Sequence, residues 1–454
     1  MLEATKLAAK LEEHGARALD LRFTDLLGGW RHLSIDAGAI GEDGIDRYAM
    51  FDGSAVPGWR DIAESDLLLR PAPDRAWADP FTAQPTLLCI ADVVDPATTE
   101  GYERCPRSAL ARTLATLRGS GVADGARVGA DLAFYVFDAL EVAREEHALG
   151  FRARPMHDAA RPAFEARYLA GQPEDTLADL RAEMTSVLAS LGVEGLSHVL
   201  LRGPGQCELR FGPTDVLTLA DQLQLARYVI DNVARAYGKV PSFLPMPLPR
   251  APGSGLHLHL ALERDDRWLF AGQGYADLSD TCLYAIGGVL RHTLALNALT
   301  NPSTNSYRRL RVGRHEPSIL GFGARNRSTT IRIPSAARPE DKRIELRFPD
   351  PLMNPYLALA GVLHAVRDGI AHAIDPGEPV DRHIYDLGGD ATGMERCARD
   401  LEQALDALGE RAEDLFPGDD VPAELLHAYI ALKRHELSLI EAQPHPLEHA
   451  VYGD

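Results

Sequence analysis

The sequence predicts an α+β protein in which helices surround an antiparallel sheet, preceded by a smaller domain of strands. Alternating apolar and polar residues, typical of half-buried strands, occupy three segments: residues 128–137, 256–262 and 344–348. Apolar residues at three-and-four spacing, typical of amphipathic helices, occupy four longer segments: residues 176–191, 216–237, 278–298 and 356–374. Gly238 and Pro302 follow two of these helical patterns and mark their ends.

The chain is long enough for two domains. Its 454 residues and 45% hydrophobic content are ordinary for a globular protein with a large core. The first hundred or so residues read as strands and turns behind one leading helix, and the turn-rich stretch DPATTEGYERCP separates them from the rest. We therefore expect an N-terminal domain over residues 1–104 and a second domain over residues 105–454.

Composition and charge narrow the classes of function. The formal net charge is −19, and because nucleic-acid binding relies on basic surfaces, we expect no nucleic-acid partner. The sequence shows no apolar run of membrane-spanning length and no basic, then apolar, leader, so we expect a cytoplasmic protein without a membrane partner. The 5 cysteines are odd in number and lack CxxC spacing, which indicates reduced thiols rather than a disulfide framework or a zinc site.

The segment KRIELRF, residues 342–348, concentrates charged side chains on a short apolar strand. Because side chains alternate along a strand, Arg343, Glu345 and Arg347 share one face and the opposite face is apolar. Two arginines beside a carboxylate on such a strand need an anionic ligand or a metal ion to compensate them. A salt-bridged strand surface without a ligand is the alternative interpretation.

Motifs along nearly the whole chain resemble the glutamine synthetase family. Between residues 301 and 355 they are NPSTNSYRRL, ARNRSTTIRIP and KRIELRFPDPLMNP. Near the N-terminus they are LRFTDLLGGWRHLSI and FDGSAVPGWRDIAESD, and between the two groups lie RVGADLAFYVFD, GPGQCELRF, YVIDNVARAYGKVPSFLPMP and PGSGLHLHLAL. On these motifs the chain is identified as a divergent member of the bacterial type I group, similar to γ-glutamylamide synthetase-like proteins.

The resemblance implies an N-terminal β-grasp domain and a glutamine-synthetase-type catalytic domain, whose antiparallel sheet forms a funnel-shaped site surrounded by helices. It also implies a homo-oligomer, a dodecamer of two stacked hexameric rings, in which the small domain of a neighbouring subunit completes each active site. The implied chemistry belongs to nitrogen metabolism: amide bond formation from a small-molecule acid and an amine, with ATP as co-substrate.

By this resemblance, Asp131, His257 and Glu345 hold one divalent ion. The period of two places His257 and His259 on one face of their strand. A lone histidine on such a strand is typically a hydrogen-bonded core residue, which is the alternative interpretation. Oxygen-rich coordination with one imidazole suits Mg²⁺ or Mn²⁺ beside a nucleotide, so we expect one of these ions as cofactor.

The second ion of the family needs three glutamates, and two of those positions are apolar in this sequence. They are Ala133 and Leu201, which leaves Glu208 alone in the motif GQCE. Because one carboxylate cannot desolvate and hold Mg²⁺ tightly, we expect Glu208 to bind a metal ion only weakly. An ion pair between Glu208 and Arg210 is the alternative.

The resemblance assigns Arg309 to the α-carboxylate of the acid substrate. The family's partner for the substrate ammonium group is a carboxylate at the position of Ala133, and its loop asparagine is replaced by Pro252, followed by the usual Gly253. Losing this counter-charge costs a buried ammonium group about 2–4 kcal/mol. We therefore expect little ordinary glutamine synthesis from glutamate and ammonium.

The amine pocket is also altered. The resemblance builds it from five positions, which in this sequence are Asp52, Ala55, Tyr168, Leu201 and His315. Two carboxylates and one hydroxyl of the family are missing, so the pocket is larger, more apolar and less anionic. It suits an amine that is bulkier than ammonia.

His315 takes the position of a glutamate on the family's flap that accepts a proton. Because histidine accepts a proton near neutral pH, a role as general base can survive the exchange. A shift of one residue would bring Glu316 into the site instead, and a solvated flap with neither residue in the site is the third alternative.

The phosphate-binding positions are unchanged. By the resemblance, Arg327, Arg332 and Arg347 contact the phosphates of ATP and the transferred phosphoryl group. Since phosphoryl transfer depends on positioning and charge neutralisation, three arginines and one metal ion are sufficient to support it.

Three functions fit these residues. The first is an ATP-dependent carboxylate–amine ligase in which Arg347 stabilises the transferring group, while Asp52, Tyr168 and His315 receive the amine. The second is a catalytically silent family member with a structural or regulatory role, motivated by the lost carboxylates. The third is a metalloenzyme in which histidines and carboxylates bind a transition metal; its ligands would be His257, His315, Asp131 and Glu345.

Overall fold

The computed structural model describes residues 2–40, 45, 49–145, 148–155, 168–311, 316–386, 393–445, 447–448 and 451. Its N-terminal part is a five-stranded mixed sheet in the order β2-β1-β5-β4-β3, with helix α1 packed against β4. The bounds are α1 Leu2–Glu13, β1 Ala18–Thr24, β2 Trp30–Asp36, β3 Met50–Asp52, β4 Asp66–Ala78 and β5 Thr86–Val94. Alternating leucines of β1 and β4 are fully buried, which explains why this face forms a core: Leu19, Leu21, Leu67 and Leu69.

The rest of the chain builds a ten-stranded sheet with the main path β13-β14-β15-β11-β6-β9-β8. Its strands are β6 Gly125–Glu145, β7 Ala148–Pro155, β8 Ser197–Leu200, β9 Gln206–Asp215, β10 Val240–Ser242, β11 Leu256–Arg264, β12 Arg267–Trp268, β13 Phe322–Ala324, β14 Ile331–Ile333 and β15 Ile344–Leu346. The pairs along this path are antiparallel apart from β13 with β14. The long strand β6 lies between β11 and β9 and places their side chains around one central surface.

Helices cover this sheet, and four of them agree with the predicted segments to within three residues at each end. The helices of this part are α2 Pro106–Gly119, α3 Ala178–Ser190, α4 Val216–Ala236, α5 Asp280–Thr300, α6 Thr304–Arg311, α7 Pro355–Ala371, α8 Leu401–Glu410, α9 Ala412–Leu415 and α10 Ala423–Glu441. Side chains of Asp215, Ser279 and Asn354 accept hydrogen bonds from backbone amides in the first turns of α4, α5 and α7. Such caps satisfy amides that a helix start leaves free.

Helices α5 and α7 meet backbone to backbone at glycines. A Cβ on Gly288 would lie 2.1 Å from the carbonyl oxygen of Ala365, and one on Gly369 would lie 2.1 Å from that of Tyr284. By length and composition α5 is apolar enough to cross a membrane, although no such segment was expected, but 72% of its apolar window is buried inside the protein. Its apolar side chains therefore form the core against α7 and α8.

Polar side chains join the two parts of the chain. The Asn354 side chain donates hydrogen bonds to the carbonyl oxygens of Asp25 (3.0 Å) and Leu26 (3.2 Å), and Gln224 donates one to the Thr24 hydroxyl (2.8 Å). The domain boundary that was placed between residues 104 and 105 stays a prediction. All five cysteines are buried and free, as their spacing indicated.

Candidate active site

A cavity of about 1030 Å³ lies on one face of the large sheet. Alternate residues of β6, β9 and β11 line it, as the period of two requires. The predicted site residues among its lining are Asp131, Tyr168, Leu201, Glu208, Gly253, His257, Arg309, Arg327, Arg332, Glu345 and Arg347. The structure therefore brings together side chains that are up to about two hundred residues apart in the sequence.

Strand register explains this convergence. On β6 and β11, Asp131 lies opposite His257, and on β11 and β15, His259 lies opposite Glu345. Arg332 on β14 is the next partner of Glu345. On the other side of β6, Asp131 lies opposite Arg210 of β9. The cavity wall thus runs in order from arginines on β14 and β15 to a charged pair on β9.

Glu345 is the most enclosed carboxylate of the site. It is 2% exposed and forms ion pairs with Arg332 and with Arg347, whose Nη1 lies 2.5 Å from its Oε1. Burial opposes its ionisation, but Arg347 and the neighbouring histidines outweigh this and hold its pKa well below the usual range. The strand is therefore salt-bridged internally, as the alternative interpretation of KRIELRF proposed, while it also faces a large cavity.

His257 is neutral at physiological pH. Burial, and then the positive charge of Arg347, lower its pKa to about 3. Its Nδ1 lies 3.5 Å from Glu345 Oε1. A neutral imidazole keeps a lone pair, which is the form that binds a metal ion.

The histidine that contacts Asp131 is His259, not His257. Its Nε2 lies 3.1 Å from Asp131 Oδ2, and its buried Nδ1 has no hydrogen-bond partner in the described part of the chain. Burial would raise the pKa of Asp131, but the hydrogen bond from His259 outweighs it and the pKa is lowered. Asp131 is therefore ionised and faces the cavity.

The donors for one divalent ion are present, but they are not gathered around a single point. Within the described ranges, no group of three or more histidine, cysteine, aspartate or glutamate side chains is close enough to hold a metal ion. The donors form two pairs, His257 with Glu345 and His259 with Asp131, on neighbouring strands of one cavity. Their oxygen and imidazole atoms fit Mg²⁺ or Mn²⁺ by type. The assignment of Asp131, His257 and Glu345 as metal ligands, and that of a transition metal, stay predictions.

Glu208 is engaged by an arginine. Its Oε1 accepts a hydrogen bond of 2.7 Å from Arg210 Nε. The whole Glu208 residue is 7% exposed. Burial and the negative charge of Asp131 raise the pKa of Glu208. Ala133 lies opposite Glu208 on β6, and Leu201 lines the same region. Neither apolar residue offers a donor atom for a metal ion, and the expected weak metal binding by Glu208 stays a prediction.

Backbone carbonyls hold Arg309 in the cavity wall. The residue is 2% exposed, and its guanidinium donates hydrogen bonds to the carbonyl oxygens of Phe348 (2.8 Å), Pro349 (3.0 Å) and Arg347 (2.8 Å). A Cβ on Gly253 would lie 2.6 Å from Arg309 Cγ, so a larger residue there would displace the Arg309 side chain. These bonds fix the orientation of the guanidinium and leave one Nη2 hydrogen and the Nε group for further partners.

Glu316, the alternative to His315 on the expected flap, lies in the cavity wall. Its Oε2 lies 3.2 Å from Arg309 Nε and it lines the cavity, whereas His315 lies outside the described residues. The Tyr385 hydroxyl donates a hydrogen bond to the Glu316 carbonyl oxygen and lies 3.0 Å from the Ser318 hydroxyl. The alternative with Glu316 in the site therefore has a structural basis in this side chain and its anchor.

The remaining amine-pocket residues are split between the cavity and the surface. Tyr168 lines the cavity, and the Arg202 guanidinium lies 5.9 Å from its ring centre. Asp52 is exposed on the N-terminal domain, where it accepts a hydrogen bond of 2.9 Å from the Ser54 amide. Asp52 and Ala55 are not among the residues that line the cavity of their own chain. Their expected contribution from a neighbouring subunit stays a prediction.

Positive charge dominates the lining. Among the described residues that face the cavity, nine arginines and one lysine stand against six carboxylates, although the whole chain carries −19. Three residues that line the cavity were not predicted as site residues. His259 was not proposed, Glu316 was only an alternative to His315, and Arg210 was considered only as a partner of Glu208. The period of two was the available signal, since His259 shares a face with His257 and Arg210 with Glu208. The excess of cations favours an anionic ligand.

Fold and site together define a class of protein: a β-grasp domain followed by a catalytic domain with a cationic cavity on an antiparallel sheet. Comparison with known proteins agrees. The family descriptions "Glutamine synthetase, beta-Grasp domain" and "Glutamine synthetase, catalytic domain" match residues 15–96 and 103–452. The chain therefore belongs to the glutamine synthetase family of ligases.

Relatives with different names resemble the chain to a similar degree. It is 39% identical to the glutamine synthetase of Azospirillum brasilense, covering 100% of this chain and 99% of the relative. It is also 39% identical to a 3-hydroxylaminophenol mutase of Cupriavidus pinatubonensis, covering 97% of each. Among solved structures, a GmaS/ADP complex superimposes with a TM-score of 0.84 at 29% identity over 98% of both chains. The Plasmodium falciparum glutamine synthetase, at 20% identity and a TM-score of 0.90 over 99% of this chain and 98% of that chain, shares the fold.

Proposed function

We propose that this protein is an ATP-dependent carboxylate–amine ligase that forms an amide through an acyl phosphate, with an amine bulkier than ammonia. One observation carries the proposal. Arg332, Arg347 and Glu345 share a cavity with Arg309, while the lining near Glu208 has apolar residues where ammonium chemistry needs negative charge. The phosphate chemistry is thus supported, and the ordinary substrates are not.

In the first step, a carboxylate oxygen of the acid forms a bond to the γ-phosphorus of ATP. The bond from this phosphorus to the bridging oxygen breaks, ADP leaves with the bonding electrons, and no proton moves. Arg327, Arg332 and Arg347 neutralise the phosphate oxygens, and Arg347 stabilises the transferring group. Asp131, His257 and Glu345 would hold one Mg²⁺ or Mn²⁺, which supplies further charge neutralisation to the phosphates.

In the second step, the amine nitrogen attacks the acyl carbon, phosphate leaves, and the nitrogen gives up one proton. Tyr168 and Leu201 line the space for the amine, and Asp52 would reach it from a neighbouring subunit. His315 is the predicted proton acceptor. Glu316 is the carboxylate that the cavity offers for the same task, since its side chain already lies in the wall beside Arg309.

The acid binds through the remaining donors of Arg309, beside Gly253. We further propose a cytoplasmic homo-oligomer of stacked hexamers that acts in nitrogen metabolism. The activity we propose is that of a γ-glutamylamide synthetase-like ligase, and the altered pocket residues carry this choice. The structural similarity to the GmaS/ADP complex supports a nucleotide-binding member of the family, as does the similarity to relatives named glutamine synthetase.

A screen of ATP-dependent phosphate release across acids and amines tests this function. The purified protein is incubated with Mg²⁺, ATP and pairs of one acid and one amine, with glutamate plus ammonium as the reference pair. We expect release with an apolar or aromatic amine and little release with the reference pair. Ordinary glutamine synthesis at saturating substrate would contradict the pocket argument.

A catalytically silent protein is the second candidate, and the ion pairs that occupy Glu345 favour it. Such a protein would retain affinity for MgATP in calorimetry without phosphate release for any pair in the screen. That combination of results would replace the ligase proposal.

A further inference from the structure

Arg210 stands at the place where two of three carboxylates of an ion site are missing. On the paired strands β6 and β9, Arg210 lies opposite Asp131, and Glu208 lies opposite Ala133. Because residues two apart on a strand share a face, Arg210 and Glu208 both point into the cavity, and both line it. A cation is thus built into the wall beside the surviving carboxylate.

The contacts of Arg210 anchor its guanidinium at the cavity wall and leave it partly exposed to the cavity. Its Nε donates the 2.7 Å hydrogen bond to Glu208 Oε1, the Tyr168 side chain is a second hydrogen-bond partner of the guanidinium, and Asp131 adds a nearby negative charge. The side chain is 39% exposed while that of Glu208 is 9% exposed, so the guanidinium faces the open cavity from a buried anchor. Two Nη groups held in one plane match the two oxygens of a carboxylate or phosphoryl group.

The guanidinium of Arg210 would repel a divalent cation bound beside Glu208. The site offers one carboxylate, Glu208, whose charge Arg210 already neutralises, while Ala133 and Leu201 supply no oxygen. A second ion would therefore lack ligands and meet a fixed positive charge. The same positive charge remains useful to an anionic substrate.

We propose that Arg210 replaces the second metal ion: its guanidinium binds the reacting carboxylate of the acid and the acyl phosphate formed from it. This inference rests on the proposed ligase function. The bonds made and broken are those of the first step, and Arg210 donates hydrogen bonds without transferring a proton. The protein accordingly binds one divalent ion per active site.

Metal stoichiometry is the first test, and it does not depend on turnover. Mn²⁺ is titrated into the full-length protein with a non-hydrolysable ATP analogue, and bound ions per chain are counted by calorimetry and by electron paramagnetic resonance. We expect one ion in the wild type. The triple variant Ala133→Glu, Leu201→Glu, Arg210→Gln, which restores the carboxylates and removes the cation, should bind two. Two ions in the wild type would overturn the proposal.

Turnover is the second test, with the acid and amine found in the screen. Arg210→Gln should lower kcat by about 100-fold, as loss of one donor to a developing anion does, with the affinity for the Mn²⁺-nucleotide complex unchanged within about threefold. Arg210→Lys, which keeps the charge, should recover part of kcat. Arg434→Gln removes an exposed arginine ion pair outside the cavity and serves as the matched control.

A double variant separates this role from a structural one. If Arg210 only neutralises the buried Glu208, then Glu208→Gln with Arg210→Gln should restore the kcat lost in Arg210→Gln, and the proposal fails. If Arg210 contacts substrate, the double variant stays about as slow as the single one. Should the wild type release no phosphate with any pair, the ligase proposal fails, and the ion count alone then decides the replacement of the second metal.

Discussion

The two ends of the cavity differ in how far they keep the residues that the family resemblance implies. We call the β14 and β15 side the phosphate end, formed by Arg327, Arg332, Glu345 and Arg347. We call the β6 and β9 side the substrate end, formed by Ala133, Leu201, Glu208 and Arg210. The phosphate end keeps every implied side chain, whereas the substrate end has lost carboxylates and gained a cation. Family membership therefore supports the proposed use of ATP more strongly than it supports the proposed acid and amine.

Removing Glu345 changes the phosphate end and should have the largest effect of the four, a loss of MgATP affinity. Glu345→Ala removes a predicted metal ligand and leaves Arg332 and Arg347 without their shared counter-charge. We expect MgATP affinity to fall by at least about 100-fold in titration calorimetry. Glu424→Ala, which removes an exposed glutamate of α10, is the control. Unchanged affinity in Glu345→Ala would mean that the phosphate end does not bind the nucleotide.

Leu201→Glu changes the substrate end and should have the next largest effect, a higher KM for the amine. Leu201 can cover an apolar amine with contact worth roughly 1–2 kcal/mol, so its loss should raise the KM of that amine by about tenfold. The variant should also improve ammonium use slightly, since a carboxylate returns to the pocket. Phosphate release with each amine measures both effects, and Leu439→Glu on the exposed face of α10 is the control. The same ranking of amines in both proteins would show that Leu201 does not line the acceptor pocket.

Glu316→Gln tests the part of the cavity beside Arg309, which belongs to neither named end. The Glu316 carboxylate neutralises Arg309 at 3.2 Å, so its removal should strengthen acid binding and lower the KM of the acid by about fivefold. If Glu316 is instead the proton acceptor for the amine, kcat falls and the KM of the acid is unchanged. Steady-state kinetics with the acid as the varied substrate distinguishes the two results.

The smallest effect concerns stability and sets the pH range for the other experiments. Burial lowers the pKa of His364 below its ordinary value of 6.5, and its Nε2 lies 2.8 Å from Asp420 Oδ2. Below pH 6.5 the unfolded chain takes up a proton that the folded protein does not. The free energy of unfolding should therefore fall by about 1.4 kcal/mol per pH unit from pH 6.5 towards the folded pKa.

Urea unfolding at pH 7.5 and 5.5 measures this dependence. His364→Gln should lose part of the difference between the two pH values, and the exposed variant His372→Gln should keep it. Equal pH dependence in wild type and His364→Gln would assign the acid sensitivity to other groups.

The sequence predicted the long elements because they follow simple periods. The helical patterns of α3, α4, α5 and α7 and the alternation in β6, β11 and β15 correspond to the observed elements. The eleven predicted site residues in the cavity were located by the family resemblance. The alternation of side chains on paired strands accounts for the five that lie on strands: Asp131, Glu208, His257, Arg332 and Glu345.

Side-chain partners were harder to predict than side-chain placement. Asp131 lies opposite His257 in register yet contacts His259, because a diagonal neighbour on the next strand is within reach of a long side chain. The ion pair of Glu345 with Arg332 depends on the packing of β14 beside β15, which no local pattern encodes. The entry of Glu316 into the site depends on the Tyr385 anchor, about seventy residues later in the chain. Such contacts are properties of the assembled sheet and loops.

Asn354 has a mechanical consequence for the whole chain. Its side-chain oxygen accepts a hydrogen bond from the Tyr356 amide at the start of α7. Its side-chain nitrogen donates hydrogen bonds to the carbonyl oxygens of Asp25 and Leu26 in the N-terminal part. One amide thus couples the β1–β2 turn to the segment that follows Arg347. Heat should therefore melt both parts of the chain in a single cooperative transition, and a displacement of that turn will pull on the strand that carries Glu345.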